Sequence, residues 1–347
     1  MVHAENVNMT TRSPATPPSA GKVTLLVLGA GWVWQFLEPF LQKSNITYAA
    51  TTTNGHGGTI PFKFDLESDD LEKAFKRLPR ADYVLVTFPL KGKGPSKKLV
   101  GMYAETHRQH HAAHSGSATT AGQGDERSDE VEATTATRTK WIQLGSTGIW
   151  TSPGFVDSNS PIDPSNERGI AEDELISLGG CVLNLAGLYG AQRQPGNWIA
   201  RVAKTKEQLR EKGALHLIHG VDVAGGVIGV INADRMAPGE TVDTEQFRTR
   251  HLFGRRWIVA DCVSYDWWGV VWDFNGDSSE DSHIDEEDPE QLAKLDERTK
   301  YRRWVMELMQ DSGVRALPRP PEALGRKLDA REFWNAIGIL PQRTLRR

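Results

Sequence analysis

Cysteine is scarce, with only Cys181 and Cys262 in 347 residues. Both lie in apolar runs, CVLNLAG and VADCVSYDWW, where buried structural thiols are expected in place of a disulfide or a thiolate metal site. That usage fits a reducing compartment. No stretch of eighteen apolar residues exists, so nothing reads as a membrane-spanning helix. Residues 1 to 20, MVHAENVNMTTRSPATPPSA, lack the apolar core of a secretory signal and hold a single Arg, which leaves a transit peptide poorly supported and a cytoplasmic location as the expectation. Positive charge is not in excess either. With 41 Lys and Arg against 45 Asp and Glu, scattered along the chain, there is no electrostatic footprint of a nucleic-acid binder.

Large apolar side chains are nearly missing from three segments. The tail 1–21 is rich in Pro, Ser and Thr, 112–138 is a run of small and polar residues, and 275–290 concentrates acids without a calcium-ligand spacing. Such compositions cannot offset the entropy of ordering, so they read as a disordered tail, a loop insertion and a solvated loop.

Elsewhere the pattern is regular. Apolar strands are expected at 23–28, 46–51, 82–87, 140–145, 181–185, 215–218 and 256–260. Helices are expected at 33–43, 69–77, 96–111, 167–178, 197–212 and 221–232, with further helical pattern in YRRWVMELMQ and at 329–336. Near-uniform apolar strands such as YVLVTF, alternating with helices, predict an α/β fold with a doubly wound, mostly parallel sheet covered on both faces. Residues 22–235 would form that domain and 236–347 a small C-terminal region on the substrate side, with strand 256–260 returning to the main sheet.

The segment VTLLVLGAGWVW, residues 23–34, is a strand running into two glycines. Gly29 suits a tight turn, Gly31 a close approach of backbone to a phosphate, and Ala30, Trp32 and Val33 lead into a helix whose first N–H groups are free. The third position of a G-x-G-x-x-G fingerprint is Trp34, and an indole there demands a wider helix–strand gap or another helix angle. The competing reading is a tight turn of some other α/β protein.

A dinucleotide site selective for NAD usually places an acid about twenty residues beyond the first glycine. None occurs between Ala49 and Gly58, so Thr52, Thr53 and Asn54 offer hydrogen bonds to a 2′-phosphate, which points to NADP over NAD; a plain loop explains them equally well. Asp65 and Leu66 in FDL suit an adenine edge, unless Asp65 is simply exposed and Ser68 caps the next helix. Thr87, Phe88 and Pro89 follow the third strand and complete the cofactor set.

At this point the chain resembles the extended, atypical short-chain dehydrogenase/reductase superfamily, in particular its NAD(P)-binding epimerase/dehydratase-like members. The matching pieces, in order, are VLVLGAGW, FDL, ADYVLVTFP, IQLGSTGIW, SPIDPSNERGIAEDE, VLNLAGLYGAQR, LHLIHGVDVA and WIVADCVSYDWW. The resemblance implies a Rossmann-type dinucleotide domain, a small-molecule substrate, and a strand-end Ser146 with Thr147 to polarise the substrate oxygen. It also implies a Tyr acid/base with a Lys four residues on; here Arg168 and Glu172 stand in those places. Arg stays charged near neutrality and cannot act as the proton donor, and Glu172 would pair with it across one helical turn.

Tyr189 is the alternative acid/base, Arg193 and Arg168 are candidate binders of an anionic substrate group, and His219 is a further candidate near pH 7. Packing or hydrogen-bonding roles compete for each. Two outcomes stay open: an oxidoreductase or epimerase-like enzyme without the usual Tyr/Lys pair, or a catalytically silent NAD(P)-binding regulator. Relatives in the superfamily often form homodimers through helices flanking the sheet. His107, His110, His111 and His114 share a helical face, but no acid or thiol accompanies them, so no metal is expected. In SYDWWGVVWDF the spacing of Trp268, Val271 and Trp272 fits core packing, and an exposed Trp267 would line a pocket.

Overall fold

The computed structural model describes residues 21–114, 138–236, 251–276 and 288–345. The tail 1–20, nearly all of the 112–138 insertion and most of the acidic stretch 275–290 therefore lie outside the described residues. In chain order the elements of the first half are β1 (Val23–Leu28), α1 (Trp34–Gln42), β2 (Tyr48–Thr52), β3 (Ile60–Pro61), α2 (Leu71–Lys76), β4 (Ala81–Val86), α3 (Pro95–His114), β5 (Lys140–Ser146), β6 (Gly154–Val156) and α4 (Glu167–Ser177). They continue with β7 (Cys181–Leu185), β8 (Gly187–Tyr189), α5 (Ile199–Val202), α6 (Lys206–Arg210), β9 (Ala214–Leu215), β10 (Leu217–His219) and α7 (Gly220–Arg235). The last are β11 (Arg255–Val259), β12 (Tyr265–Asp266), α8 (Trp267–Phe274), α9 (Pro289–Asp311), β13 (Arg326–Leu328) and α10 (Arg331–Ile337).

Seven strands form one sheet in the order β11-β7-β5-β4-β1-β2-β3, and every pairing in it is parallel. This is a doubly wound α/β sheet. Parallel strands need crossovers, and here helices cover both faces, which is why all six residues of β1 are buried and apolar but for Thr24. On one face Leu25, Val27, Leu85, Ile142 and Leu183 pack on α1, α7 and α10. On the other, Leu26, Val84 and Val182 meet Leu71, Phe75, Leu99 and Leu175 from α2, α3 and α4. A third cluster joins Tyr189, Leu209, Tyr265, Trp268, Tyr301 and Val305 beyond the carboxyl edge of the sheet, where β8/β10, β9/β12 and β6/β13 form two-stranded sheets.

Strand order reverses between β1 and β4, so a crevice opens at their carboxyl ends. Several expectations are corrected here. The single helix at 197–212 is split into α5 and α6, because Ala203 leaves the helical region and the extended Thr205 caps α6 by accepting from the Gln208 amide at 3.2 Å. The strand at 215–218 is two strands with different partners. Cys262 is exposed, in a left-handed turn (φ 63°) just past the sheet, while Cys181 is buried and neither is bonded. Trp267 is not a pocket wall: it is 8% exposed and belongs to the core. Asp70, with no side-chain cap bond, precedes α2 instead of Ser68.

Leu85 is fully buried in β4, the middle strand of the seven. Leu85→Ala is expected to lower unfolding stability by about 2–5 kcal/mol with an unchanged denaturant slope in urea titration. A loss under about 1 kcal/mol would contradict a close-packed sheet centre.

Candidate active site

Gly29 has φ 95°, and a Cβ there would stand 2.7 Å from Thr87 Oγ1 and 3.2 Å from the Phe88 ring. Thr87 itself donates its hydroxyl to the Gly29 carbonyl, so the end of β4 wedges the turn that follows β1. Three of the turn's amides are used internally. Gly29 donates to Thr51 Oγ1 at 3.0 Å, Ala30 to the Thr51 carbonyl at 2.6 Å, and Gly31 folds back on the Gly29 carbonyl at 2.8 Å. The amides of Trp32 and Val33 have no acceptor among the described residues, and α1 begins with neither a side-chain cap nor an acid in its first turn. Space above Gly31 is open to at least 4 Å. An anion would therefore meet the amides of residues 32 and 33, with Gly29 and Ala30 shaping the turn instead of donating.

The indole of Trp34 does not enter that space. It packs edge-on against Tyr48 at 5.8 Å, and Tyr48 is level with Leu25, well below the end of β1. Trp32 is the aromatic residue at the turn. Its ring lies 4.8 Å from Phe36 and under the Arg193 guanidinium at 4.5 Å, and its Nε1 proton is buried without an acceptor.

From Phe36 the contacts run to His219 (5.5 Å) and from there to Tyr189 (4.9 Å). Glycines permit this closeness: a Cβ on Gly220 would strike the Phe36 ring at 2.2 Å, and one on Gly190 would lie 2.5 Å from His219 Nε2. The structure thus brings Arg193, His219 and Tyr189 together beside the glycine turn.

Tyr189 is buried and its hydroxyl has no hydrogen-bond partner. Burial, with the charges of Asp261 and Asp222 adding to it, raises its pKa and keeps the phenol protonated. His219 accepts the Val221 amide on Nδ1 at 3.1 Å, which leaves its proton on Nε2, and burial lowers its pKa, so the ring is neutral. Behind them lies a group the sequence reading did not select. Asp222 accepts the amides of Gln342 (2.7 Å) and Arg343 (3.0 Å), and Asp261 accepts the Tyr265 hydroxyl at 2.6 Å. Leu345 donates its amide to that hydroxyl oxygen at 2.8 Å. The one available signal was a lone acid inside an apolar run, in HGVDVAGGV and WIVADCV.

Ser146 ends β5, and its Oγ accepts the Gly148 amide at 3.2 Å, which leaves its own proton free to donate. Thr147 is buried in the following turn, where its carbonyl and that of Trp150 accept from Arg326 Nη1. Glu172 departs most from expectation. It does not pair with Arg168 at the surface but is fully buried, with Oε2 accepting from Asn184 Nδ2 at 2.8 Å and the Arg256 guanidinium 3.8 Å away as a longer ion pair. The reason is the absent side chain of Gly145, where a Cβ would stand 2.4 Å from Glu172 Oε1 and 2.5 Å from Asn184 Nδ2. Burial raises the Glu172 pKa against the opposing pull of Asn184 and Arg256. Arg168 is half-buried in the first turn of α4.

Of the other candidates, Thr52 has its hydroxyl bonded to Thr59 (2.7 Å) and to the Gly55 amide (3.0 Å). Asn54 faces His56 at 2.6 Å, Thr53 is exposed, and Asp65 pairs with Lys63 at 2.8 Å. That pairing holds the Asp65 carboxyl below its ordinary value. Leu66 and Pro89 are exposed, and Phe88 stacks on Phe64 at 6.2 Å. Both ring nitrogens of His107 face backbone carbonyls, of Tyr103 (2.7 Å) and Leu78 (3.0 Å). The side chains of His110, His111 and His114 lie outside those described, and among the described residues no group of three potential metal ligands occurs.

The chain path is similar to UDP-glucuronic acid 4-epimerase from Bacillus cereus in complex with NAD, at 12% identity over 92% of this chain and 94% of that one, with a TM-score of 0.49. It is also similar to a functionally unknown conserved protein from Silicibacter pomeroyi (15%, 92% and 95%, TM-score 0.48). A third likeness is to MoeE5 in complex with UDP-glucuronic acid and NAD (13%, 92% and 94%, TM-score 0.47). No protein-family model and no curated protein matches the chain. At these identities the likeness is one of fold.

Two predictions follow from the buried acids. Gly145→Ala is expected to cost about 1–3 kcal/mol by overpacking, and much less in a Glu172→Ala background, so that urea unfolding of the two single variants and the double variant is non-additive. Strict additivity would contradict the fit between position 145 and the carboxyl group.

Asp261 is pushed up to about 6, by burial first and Asp222 next, so its stabilising contribution is full below about pH 4 and is lost as pH rises through 6. His216, pushed down to about 4 chiefly by burial, works in the opposite sense, losing its contribution as pH falls. The wild type should therefore lose on the order of 2 kcal/mol relative to Asp261→Asn between about pH 4 and 7. A difference that is constant across this range would be incompatible with the raised value.

Proposed function

We propose that the chain is a nicotinamide-dinucleotide-binding protein of the oxidoreductase or epimerase-like type that works without a Tyr/Lys pair. The observation that carries this is the pair of unpartnered amides at Trp32 and Val33, set over an open Gly31 at the point where strand order reverses. A helix N-terminus with no acid in its first turn favours a diphosphate there. NADP is favoured over NAD, since no carboxylate lies between Ala49 and Gly58 and Thr53 and Asn54 are exposed at the end of β2. Bound dinucleotide would supply hydride donation and acceptance.

The rest falls to the chain. The Ser146 hydroxyl, with its proton free, orients a substrate oxygen. The protonated phenol of Tyr189 is the neutral donor, and the neutral imidazole of His219 stands beside it. Arg193 and Arg168 offer charge to an anionic substrate group. A second reading, binding without turnover, is favoured by one fact: Glu172, at the place of the usual Lys, is turned under β5 and away from any ligand.

Titration with NADPH and NADH, followed by nicotinamide fluorescence, is expected to show binding of both, tighter for NADPH. Gly31→Val should weaken it at least tenfold, about 1.4 kcal/mol. Failure of both dinucleotides to bind at millimolar concentration would refute the reading. Given binding, oxidation of NADPH with a panel of aldehydes, ketones and nucleotide sugars that falls about a hundredfold in Ser146→Ala and Tyr189→Phe supports the enzyme, and binding with no turnover supports the silent protein.

A further inference from the structure

A cavity of about 440 Å³ opens between the α6–β9 loop and the segment that leads into β13, away from the glycine turn, and its size falls within the roughly 300–1,000 Å³ of small-molecule sites. Arg210, Lys212, Arg319 and Arg326 line it, with Glu211 as the single acid among the lining side chains. Two of these cations are neutralised: Arg210 pairs with Asp311 at 2.9 Å, and the buried Arg319 pairs with Asp266 at 2.6 Å. Lys212 and Arg326 have no carboxylate partner among the described residues.

Next to Arg326 the buried Lys327 also lacks one, since its ammonium donates only to the carbonyls of Pro321 (3.0 Å) and Gly325 (2.9 Å). The guanidinium of Arg326 is half-buried and its recorded acceptors are likewise carbonyls, of Thr147 and Trp150. Burying positive charge without a counter-charge is costly, and a cavity lies in front of it. The local field is visible in His216, whose pKa is lowered first by burial and then by Arg326 and Lys327.

The walls are fixed before any ligand arrives. Arg319 Nη2 donates to the Lys212 carbonyl at 2.6 Å, which ties one wall to the other, and Lys327 closes the 321–325 turn. Glu211, the acid that would compete for these cations, is exposed.

We infer that this cavity binds the oxyanion group, phosphate or carboxylate, of a small organic molecule, with Lys212 and Arg326 as its ligating cations. Arg326 also holds the turn that follows Ser146, so the cavity and the end of β5 share one side chain. The inference does not depend on dinucleotide binding.

The test is calorimetric titration of the full chain with sodium phosphate, pyrophosphate and citrate, at an ionic strength held constant with chloride. Saturable binding at millimolar level or tighter is expected, weakened at least tenfold by Lys212→Glu and by Arg326→Gln. It should persist in Gly31→Val, which separates the cavity from the glycine turn, and in Lys43→Glu, a remote surface control. Preference for the phosphates identifies a phosphorylated ligand, and preference for citrate a carboxylated one. If Arg326→Gln does not fold, Lys212→Glu alone decides. Absence of saturable binding by all three anions overturns the inference, as does equal weakening by Lys212→Glu and Lys43→Glu, or loss in Gly31→Val with retention in Lys212→Glu.

Discussion

The hydroxyl of Thr87, wedged under the Gly29 carbonyl, sets the shape of the turn at the candidate site. It fixes the end of β4 against the end of β1 at the reversal of strand order, and it is the atom that excludes any side chain from position 29. With the turn so held, Thr51 takes the amides of Gly29 and Ala30, and the next free donors are those of Trp32 and Val33. The two open amides of the turn, on which the proposed function rests, are thus what remains once every other amide in it is satisfied.

A second constraint runs beneath β5. Glu172, Asn184, Gln143 and Arg256 share the face of the sheet covered by α4, all at most 8% exposed, and each keeps one polar atom without a partner. An unsatisfied buried polar atom costs about 1–3 kcal/mol, so the fold tolerates this group against a real penalty. What it gains is position. Asn184 bridges the Glu172 carboxyl and the Ser146 carbonyl, and so ties the end of β5 to α4 and β7. Ser146 is held in place by this buried polar network.

The sheet was legible in the sequence because its strands are buried on both faces and therefore read as short apolar runs, as in VTLLVL and ADYVLV. Tyr189 and His219, at the ends of β8 and β10, and Arg193, in the loop after β8, were legible as separate polar candidates. Their adjacency was not, since it is made by Phe36 and by the missing side chains of Gly190 and Gly220. Glu172 was misread because helical spacing places it one turn from Arg168, and spacing alone does not say that Gly145 leaves room for a carboxyl. Cys262 was misread because its apolar run suggests burial, whereas β11 ends at Val259 and the residues after it turn outward. Trp34, the one apparent flaw in the glycine motif, is resolved by Tyr48, a partner fourteen positions on that no local rule identifies.

On the proposed reading, Arg168 and Glu172 stand where the resembled superfamily has a Tyr/Lys pair, and that bears on the chemistry of Tyr189. A lysine beside a phenol lowers the phenol's pKa and makes it a reversible acid/base near neutrality. Here burial first, and then the charges of Asp261 and Asp222, act on Tyr189 in the opposite direction, so its proton is held more firmly, not less. A phenol in that state gives up a proton only as charge develops on an adjacent oxygen, and it does not serve as the resting base for the reverse step. On the proposed reading Tyr189 is thus a resting proton donor, its proton held by burial first and by the charges of Asp261 and Asp222 next.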